Sequence, residues 1–273
     1  MIFPDYHLHT FFSSDSEADV NKIIDCAKSK GLSSVCITDH YDMDFPVFPD
    51  EPDMTFDLDT NAYYRYMSDI RQRFAPDFDL RIGVELGVMP ETAQRLHSYV
   101  LSHPELDFII ASSHLVDGYD PYRPEYFEGK SDVQAYRRYF ESILDCVRLF
   151  RDFNVYGHLD YILRYGRQKA ENFNIRDYAD ILHEIFRILT ENGKGIEINT
   201  GSLYRGLDFP HPHADILRMY KDAGGEIITV GSDAHEPEYV GYGFDIAKKL
   251  LLAHGFQYYC TFKEQKPAFH KIN

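Results

Sequence analysis

Along this chain, short apolar runs alternate with stretches of helical periodicity, and nearly every apolar run ends on a histidine, an aspartate or a glutamate. Residues 34–38, 80–84, 108–111, 154–156, 195–199 and 227–230 read as strands, and their alternation with helical stretches is the α/β signature. The run 1–3 reads as an opening strand and 258–261 as a closing one. Helical spacing fills the gaps, over 17–30, 61–74, 92–101, 132–150, 175–192, 214–223 and 244–254. In the first of these, Val20, Ile23, Ile24 and Ala27 share a face and Gly31 stops the pattern. Seven βα units in one series, with no internal repeat, low-complexity tract or linker, predict an α/β fold: one barrel spanning residues 1–273 as a single domain.

In a βα barrel the C-terminal ends of the strands converge on one mouth, so residues at those ends are brought together whatever their distance in sequence. His7, His9, His40, Glu85, His114, His158, Glu197, Asn199, Asp233 and His235 all fall at or just past a predicted strand end. Of the 13 histidines, six are in that set. The others (His97, His103, His183, His211, His213, His254, His270) fall in helices, loops or the tail and read as surface or packing residues. His7-x-His9 places two imidazoles on one face of an extended segment, with Asp5 on the same face as a possible orienter. His211-Pro212-His213 repeats the pattern without the strand: Pro212 favours a turn, so that pair need not share a face. Imidazole and carboxylate without thiolate suit Zn, Mn or Fe at a multinuclear site, where phosphoester hydrolysis is the natural chemistry.

Charge narrows the class further. A formal net charge of −16 would repel a polyanion, which argues against nucleic acid as a partner. No apolar run approaches the roughly 20 residues needed to span a bilayer, and no signal peptide is read before the first strand. Cys26, Cys36, Cys146 and Cys260 are widely spaced and are expected as free thiols in a reducing cytoplasm.

Asp5-x-His7-x-His9, Thr38-Asp39-His40, Gly83-Val84-Glu85, Ser113-His114, Gly157-His158 and Ser232-Asp233-Ala234-His235 resemble, in order, the motifs of the PHP (polymerase and histidinol phosphatase) family. The resemblance runs from the first residues to His235. It implies a distorted, TIM-barrel-like (β/α)7 fold with three divalent metal ions. It implies a small phosphomonoester as substrate, L-histidinol phosphate, cleaved to L-histidinol and phosphate in histidine biosynthesis. Carried over residue by residue, it puts one ion on His7, His9, Glu85 and Asp233, and a second on Glu85, His114 and His158. The third falls on His40 and His235, with Asp15 where some members have a histidine. A hydroxide bridging the ions that share Glu85 is then expected to attack phosphorus, with Glu85, Asp233 and His235 at the reacting centre.

Asp160, Glu197 and Asn199 are expected to support ligands or orient substrate. Arg164 and Arg205 follow site-bearing strands and are expected to clamp phosphate without touching metal content. Rival readings are another phosphoesterase of the same family acting on a different phosphomonoester or a nucleotide, an amidohydrolase-type barrel, a nucleic-acid exonuclease, and a non-enzymatic metal-binding domain. The amidohydrolase reading lacks the strand-end lysine that such barrels carbamylate. Sequence leaves the oligomeric state open.

Overall fold

The computed structural model describes residues 4–272; the expected strand at 1–3 lies outside them. Parallel strands run in the order β1 (Ser34–Ile37), β3 (Asp79–Gly87), β4 (Phe108–Ser112), β5 (Val155–Tyr156), β6 (Gly195–Asn199) and β7 (Ile228–Gly231). β2 (His40–Asp42) also pairs with β3, so β1 and β2 are one barrel position interrupted at residues 38–39. Residues 5–9 close the ring. On one side Asp5 and Leu8 carbonyls accept from Cys36 N and Thr38 N at 2.8 Å each; on the other, Tyr6 N and His9 N reach Val230 O and Ala234 O at 3.0 Å each. The seven positions form the expected distorted (β/α)7 barrel.

Alternation along the strands sorts their side chains. Val84, Leu86, Ile109, Ala111, Ile196 and Ile198 join the core beneath the helices, while Glu85 and Glu197 meet imidazoles inside the ring and Ser112 Oγ donates to Glu85 Oε1. The helical layer includes α1 (Val20–Ser29), α2 (Thr60–Phe74), α3 (Ala93–Ser102), α4 (Asp132–Leu149) and α5 (Ala179–Glu191). After β6 it continues with the short α6 (Gly201–Tyr204), then α7 (Ala214–Asp222) and α8 (Phe244–Ala253). α1 and α4 show why the sequence starts helices there: Asp19 caps Asn21 N, and Ser131 with Gln134 forms a reciprocal capping box.

The closing strand expected at 258–261 is the first arm of an antiparallel hairpin, β8 (Tyr258–Lys263) and β9 (Lys266–Lys271). The second arm is polar and mostly exposed, so no apolar run announces it. The hairpin plugs the end of the barrel away from the strand C-termini. Phe262 packs with Tyr6 and Phe108, Tyr6 Oη donates to Phe262 O at 3.0 Å, and Asp107 accepts from the backbone of Glu264 and Gln265.

Two strand ends differ from expectation. β3 continues through Glu85 to Gly87, and the ladder resumes at His40. Both residues therefore sit on rigid, paired backbone rather than in loops.

Candidate metal centre

Glu85 is the hub. Its Oε2 lies 3.1 Å from His7 Nε2, 3.4 Å from His9 Nε2 and 3.1 Å from His40 Nδ1, and its Oε1 lies 2.9 Å from His158 Nε2 and 3.3 Å from His114 Nε2. Asp233 Oδ1 comes to 3.5 Å from His9 Nε2 and 3.6 Å from His235 Nδ1. Asp15 Oδ2 lies 3.1 Å from His235 Nε2 and 3.6 Å from His40 Nε2. All nine expected ligands are thus brought to one rim. Among the described residues, three overlapping groups have ligand atoms within 4.8 Å of one another: His7, His9 and Glu85; His9, His40 and His235; His40, Glu85 and His114.

Groups behind the ring fix which imidazole nitrogen faces the cluster. His7 Nδ1 pairs with Glu197 Oε1 at 2.7 Å, and His114 Nδ1 with Asp42 Oδ2 at 2.6 Å. His9 Nδ1 meets Ser13 Oγ at 3.2 Å; that hydroxyl already donates to Asp39 Oδ1, so the ring is the donor. In each case the Nε2 lone pair is left aimed inward. Glycine at 231 is required by this arrangement: a Cβ there would lie 2.3 Å from His7 Cβ and 2.5 Å from Glu197 Oε1. Asp233 holds a left-handed backbone, φ 54°, a conformation that costs a non-glycine residue about 1–3 kcal/mol. Its N–H donates to His7 O at 2.8 Å, which fastens the strained turn to residues 5–9.

His7 Nε2, His9 Nε2, His40 Nδ1 and Glu85 Oε2 are buried and make no hydrogen bond. Each such orphan costs about 1–3 kcal/mol, and four converge on one point. Divalent cations resolve that debt, and the imidazole–carboxylate donor set suits them.

Electrostatics agree. Burial opposes ionisation of Glu85, but His7, His114 and His40 hold its carboxyl well below the usual range. Asp233 is likewise held low against burial by Arg205 and His7. Burial pushes the His7 and His114 imidazoles down, yet Glu197 with Glu85, and Asp42 with Glu85, carry them well above the ordinary value.

The remaining expected residues separate. Arg164 is buried and lines the cleft over the cluster; its Nε and Nη2 have no partner, and its guanidinium lies 4.9 Å from the centre of the Tyr161 ring. Arg205 also lines the cleft but is committed to a ligand: Nη1 donates to Asp233 Oδ2 at 2.7 Å and Nη2 to Asp233 O at 3.2 Å. The expectation that its loss leaves metal content intact is revised on that account.

Of the three residues expected to support ligands or orient substrate, Glu197 takes the supporting place. Both its oxygens are used, by His7 Nδ1 on one side and by His158 N and Asn199 Nδ2 on the other. Asn199 and Asp160 are buried behind the cleft as well, Asp160 accepting from His211 and from His213 N. Asp5 does not orient the imidazole rings. Its carboxylate accepts from Ser232 N, Ser232 Oγ and Gly241 N and ties residues 5–9 to the turn after β7.

Sequence reasoning missed Asp42 and the partner of His211, a residue it placed correctly in the turn before the helix at Ala214. Asp42 stands two residues beyond His40 on one strand, so alternation alone puts it on the same face. His211 has no such signal. It is fully buried, its backbone bridges Asn199, and its Nδ1 meets Asp160 Oδ1 at 2.7 Å.

A βα barrel that gathers six imidazoles and three carboxylates at its C-terminal rim defines a divalent-metal-dependent hydrolase. The PHP domain family matches residues 5–201, and the chain belongs to that family. A histidinol-phosphatase of Lactococcus lactis is 32% identical over 266 residues, covering 96% of this chain and 95% of that one. The histidinol-phosphatase of Saccharomyces cerevisiae is 22% identical over 312 residues, covering 95% and 92%. The crystal structure of the L. lactis histidinol phosphate phosphatase, complexed with Zn, L-histidinol and phosphate, matches with TM-score 0.86 at 31% identity, covering 97% of this chain and 98% of that one.

Proposed function

We propose that this chain, working as one domain, is a divalent-metal-dependent phosphomonoesterase that hydrolyses L-histidinol phosphate to L-histidinol and phosphate. The observation that carries the reading is the match over nearly the whole chain to a relative that holds zinc, L-histidinol and phosphate together. The nine-ligand rim beneath a cleft of about 500 Å³ supports it. That cleft is of the size usual for a small ligand.

Three ions, Zn, Mn or Fe, fit the donors: His7, His9, Glu85 and Asp233 for one; Glu85, His114 and His158 for a second; Asp15, His40 and His235 for a third. When bound, such ions acidify water into a nucleophile and draw charge from phosphoryl oxygens. The chain's own residues do the rest. Arg164 has two unpartnered guanidinium nitrogens, Nε and Nη2, with which to bind the phosphate. Asp233 is kept ionised by Arg205 and His7. His235 lies between Asp15 and Asp233. Free thiols at all four cysteines suit the cytoplasm. Among the described residues, no helix is long and apolar enough to cross a membrane.

Phosphate release from a panel of small phosphomonoesters by the metal-reconstituted protein tests the reading. L-Histidinol phosphate should be the preferred ester; equal or greater turnover of unrelated esters or nucleotides would overturn it.

A further inference from the structure

The cleft has two unlike ends. Its inner end carries the imidazoles and Arg164; its outer wall is apolar and aromatic, with Phe45, Phe48, Met54 and Phe56. Two loops build that wall, residues 43–59 and 115–123, and Arg123 fastens one to the other. Its guanidinium stacks 3.7 Å from the centre of the Phe48 ring, Nη1 donates to Asp50 and Nη2 to Glu51 at 2.6 Å. The charges of Arg123, Asp50 and Glu51 are therefore spent on one another.

Asp120 lines the same cleft and stands outside that pairing. Its Oδ1 accepts from Tyr122 N at 2.8 Å, and among the described residues it forms no ion pair. Asp42 also lines the cleft; its Oδ2 takes His114, while its Oδ1 is buried with no hydrogen-bond partner. Glycine at 87 makes room for it, since a Cβ there would lie 2.3 Å from the Asp42 carboxyl carbon. Burial pushes the Asp120 carboxyl up; the Tyr122 N–H, His114 and Arg123 pull it down without offsetting burial, and Asp42 adds a smaller push upward. A carboxylate so placed is costly until a cation arrives.

We propose that Asp120, on the cleft wall it shares with Asp42, is the counter-charge that selects phosphomonoesters bearing a protonated primary amine near the ester carbon. The aromatic wall takes the rest of the substrate. This inference rests on the phosphomonoesterase reading above and names the feature of the substrate that the outer wall reads. A neutral or anionic ester of the same length leaves the Asp120 charge unpaired and is rejected on that ground.

The test compares L-histidinol phosphate with its deamino counterpart, identical except for the amine, in the wild-type protein and in Asp120→Asn. The wild type should favour the amine-bearing ester in kcat/KM, and Asp120→Asn should reduce that preference tenfold or more, mainly through KM. L-Histidinol alone, followed by calorimetry on the metal-loaded protein, should bind the variant at least tenfold more weakly, with the affinity for inorganic phosphate retained. A preference left intact in Asp120→Asn overturns the inference while leaving the activity standing. Equal loss on both esters also overturns it, because it makes Asp120 a structural residue of its loop. A wild type that does not hydrolyse L-histidinol phosphate overturns the activity itself, and this inference with it.

Discussion

At the scale of single residues, the two arginines divide the work that the sequence assigns to both. Arg164 lines the cleft and pairs with none of the expected ligands, so Arg164→Ala should leave metal content intact and weaken inorganic phosphate as an inhibitor. A charge-assisted contact is worth about 1.5–3 kcal/mol, which corresponds to roughly tenfold or more in affinity. Arg205→Ala should weaken phosphate and also lower metal content, because it frees the Asp233 carboxylate that Arg205 now holds. Metal analysis beside phosphate inhibition separates the two; identical behaviour of the variants would contradict this division. Glu85→Ala should lose metal and turnover together, since Glu85 faces five imidazoles.

The pH dependence of metal uptake follows from the same contacts. His7 and His114 keep their protons to higher pH than ordinary imidazoles, whereas Glu85 and Asp233 are already ionised. A metal ion needs the neutral imidazole, so binding must expel those protons. Affinity should therefore rise as pH rises through the raised imidazole values and fall as pH falls. Proton release on metal addition, titrated at several pH values, should be positive and shrink toward alkaline pH. Uptake that is independent of pH would contradict the assignment of these two imidazoles as ligands.

At the scale of elements, strands and ligands were legible because both follow local rules. Apolar runs between helical stretches mark strands, and strand ends mark the mouth, so His7, His114, His158 and His235 could be found without coordinates. Contacts created by non-local packing were not legible. Asp42 waits on the resumption of a strand after a two-residue break, and His211 on a backbone bridge to Asn199 that no periodicity encodes. The His211 case changes the expected outcome of an experiment. His7→Ala or His9→Ala should strip metal, whereas His211→Ala with His213→Ala should keep it. The second pair was expected as surface or packing residues; instead, removing His211 leaves Asp160 as a buried carboxylate without its imidazole. Burial holds His211 neutral, so the loss is that of a hydrogen bond to a charged group, about 1.5–3 kcal/mol. Denaturant unfolding of the double variant should show that loss beside an unchanged metal complement; full stability would mean that Asp160 has another partner.

At the scale of the whole molecule, the barrel is held at opposite ends by different chemistry, and the two ends should fail independently. The mouth packs imidazoles against carboxylates and leaves His7 Nε2, His9 Nε2, His40 Nδ1 and Glu85 Oε2 without hydrogen bonds. The opposite end is closed by the C-terminal hairpin, where Phe262, 3% exposed, fills the space under Phe108 and Tyr6. Truncating a buried phenylalanine to alanine costs about 3–5 kcal/mol, from lost transfer energy and the cavity left behind. For a chain of this size each kcal/mol shifts the melting temperature by about 2–4 °C, so Phe262→Ala should melt about 10 °C lower. The residues proposed as metal ligands sit at the strand C-termini, away from the plug, on ladders that the change does not cut. The purified variant should therefore keep its metal and, below its melting temperature, its turnover number. Glu85→Ala should show a different pattern: inactive and metal-poor at temperatures where it remains folded, with a melting temperature that chelator does not change. Melting curves recorded with and without chelator for both variants decide it. A Phe262→Ala protein that loses metal at temperatures where it remains folded would show that the plug and the mouth are coupled through the strands.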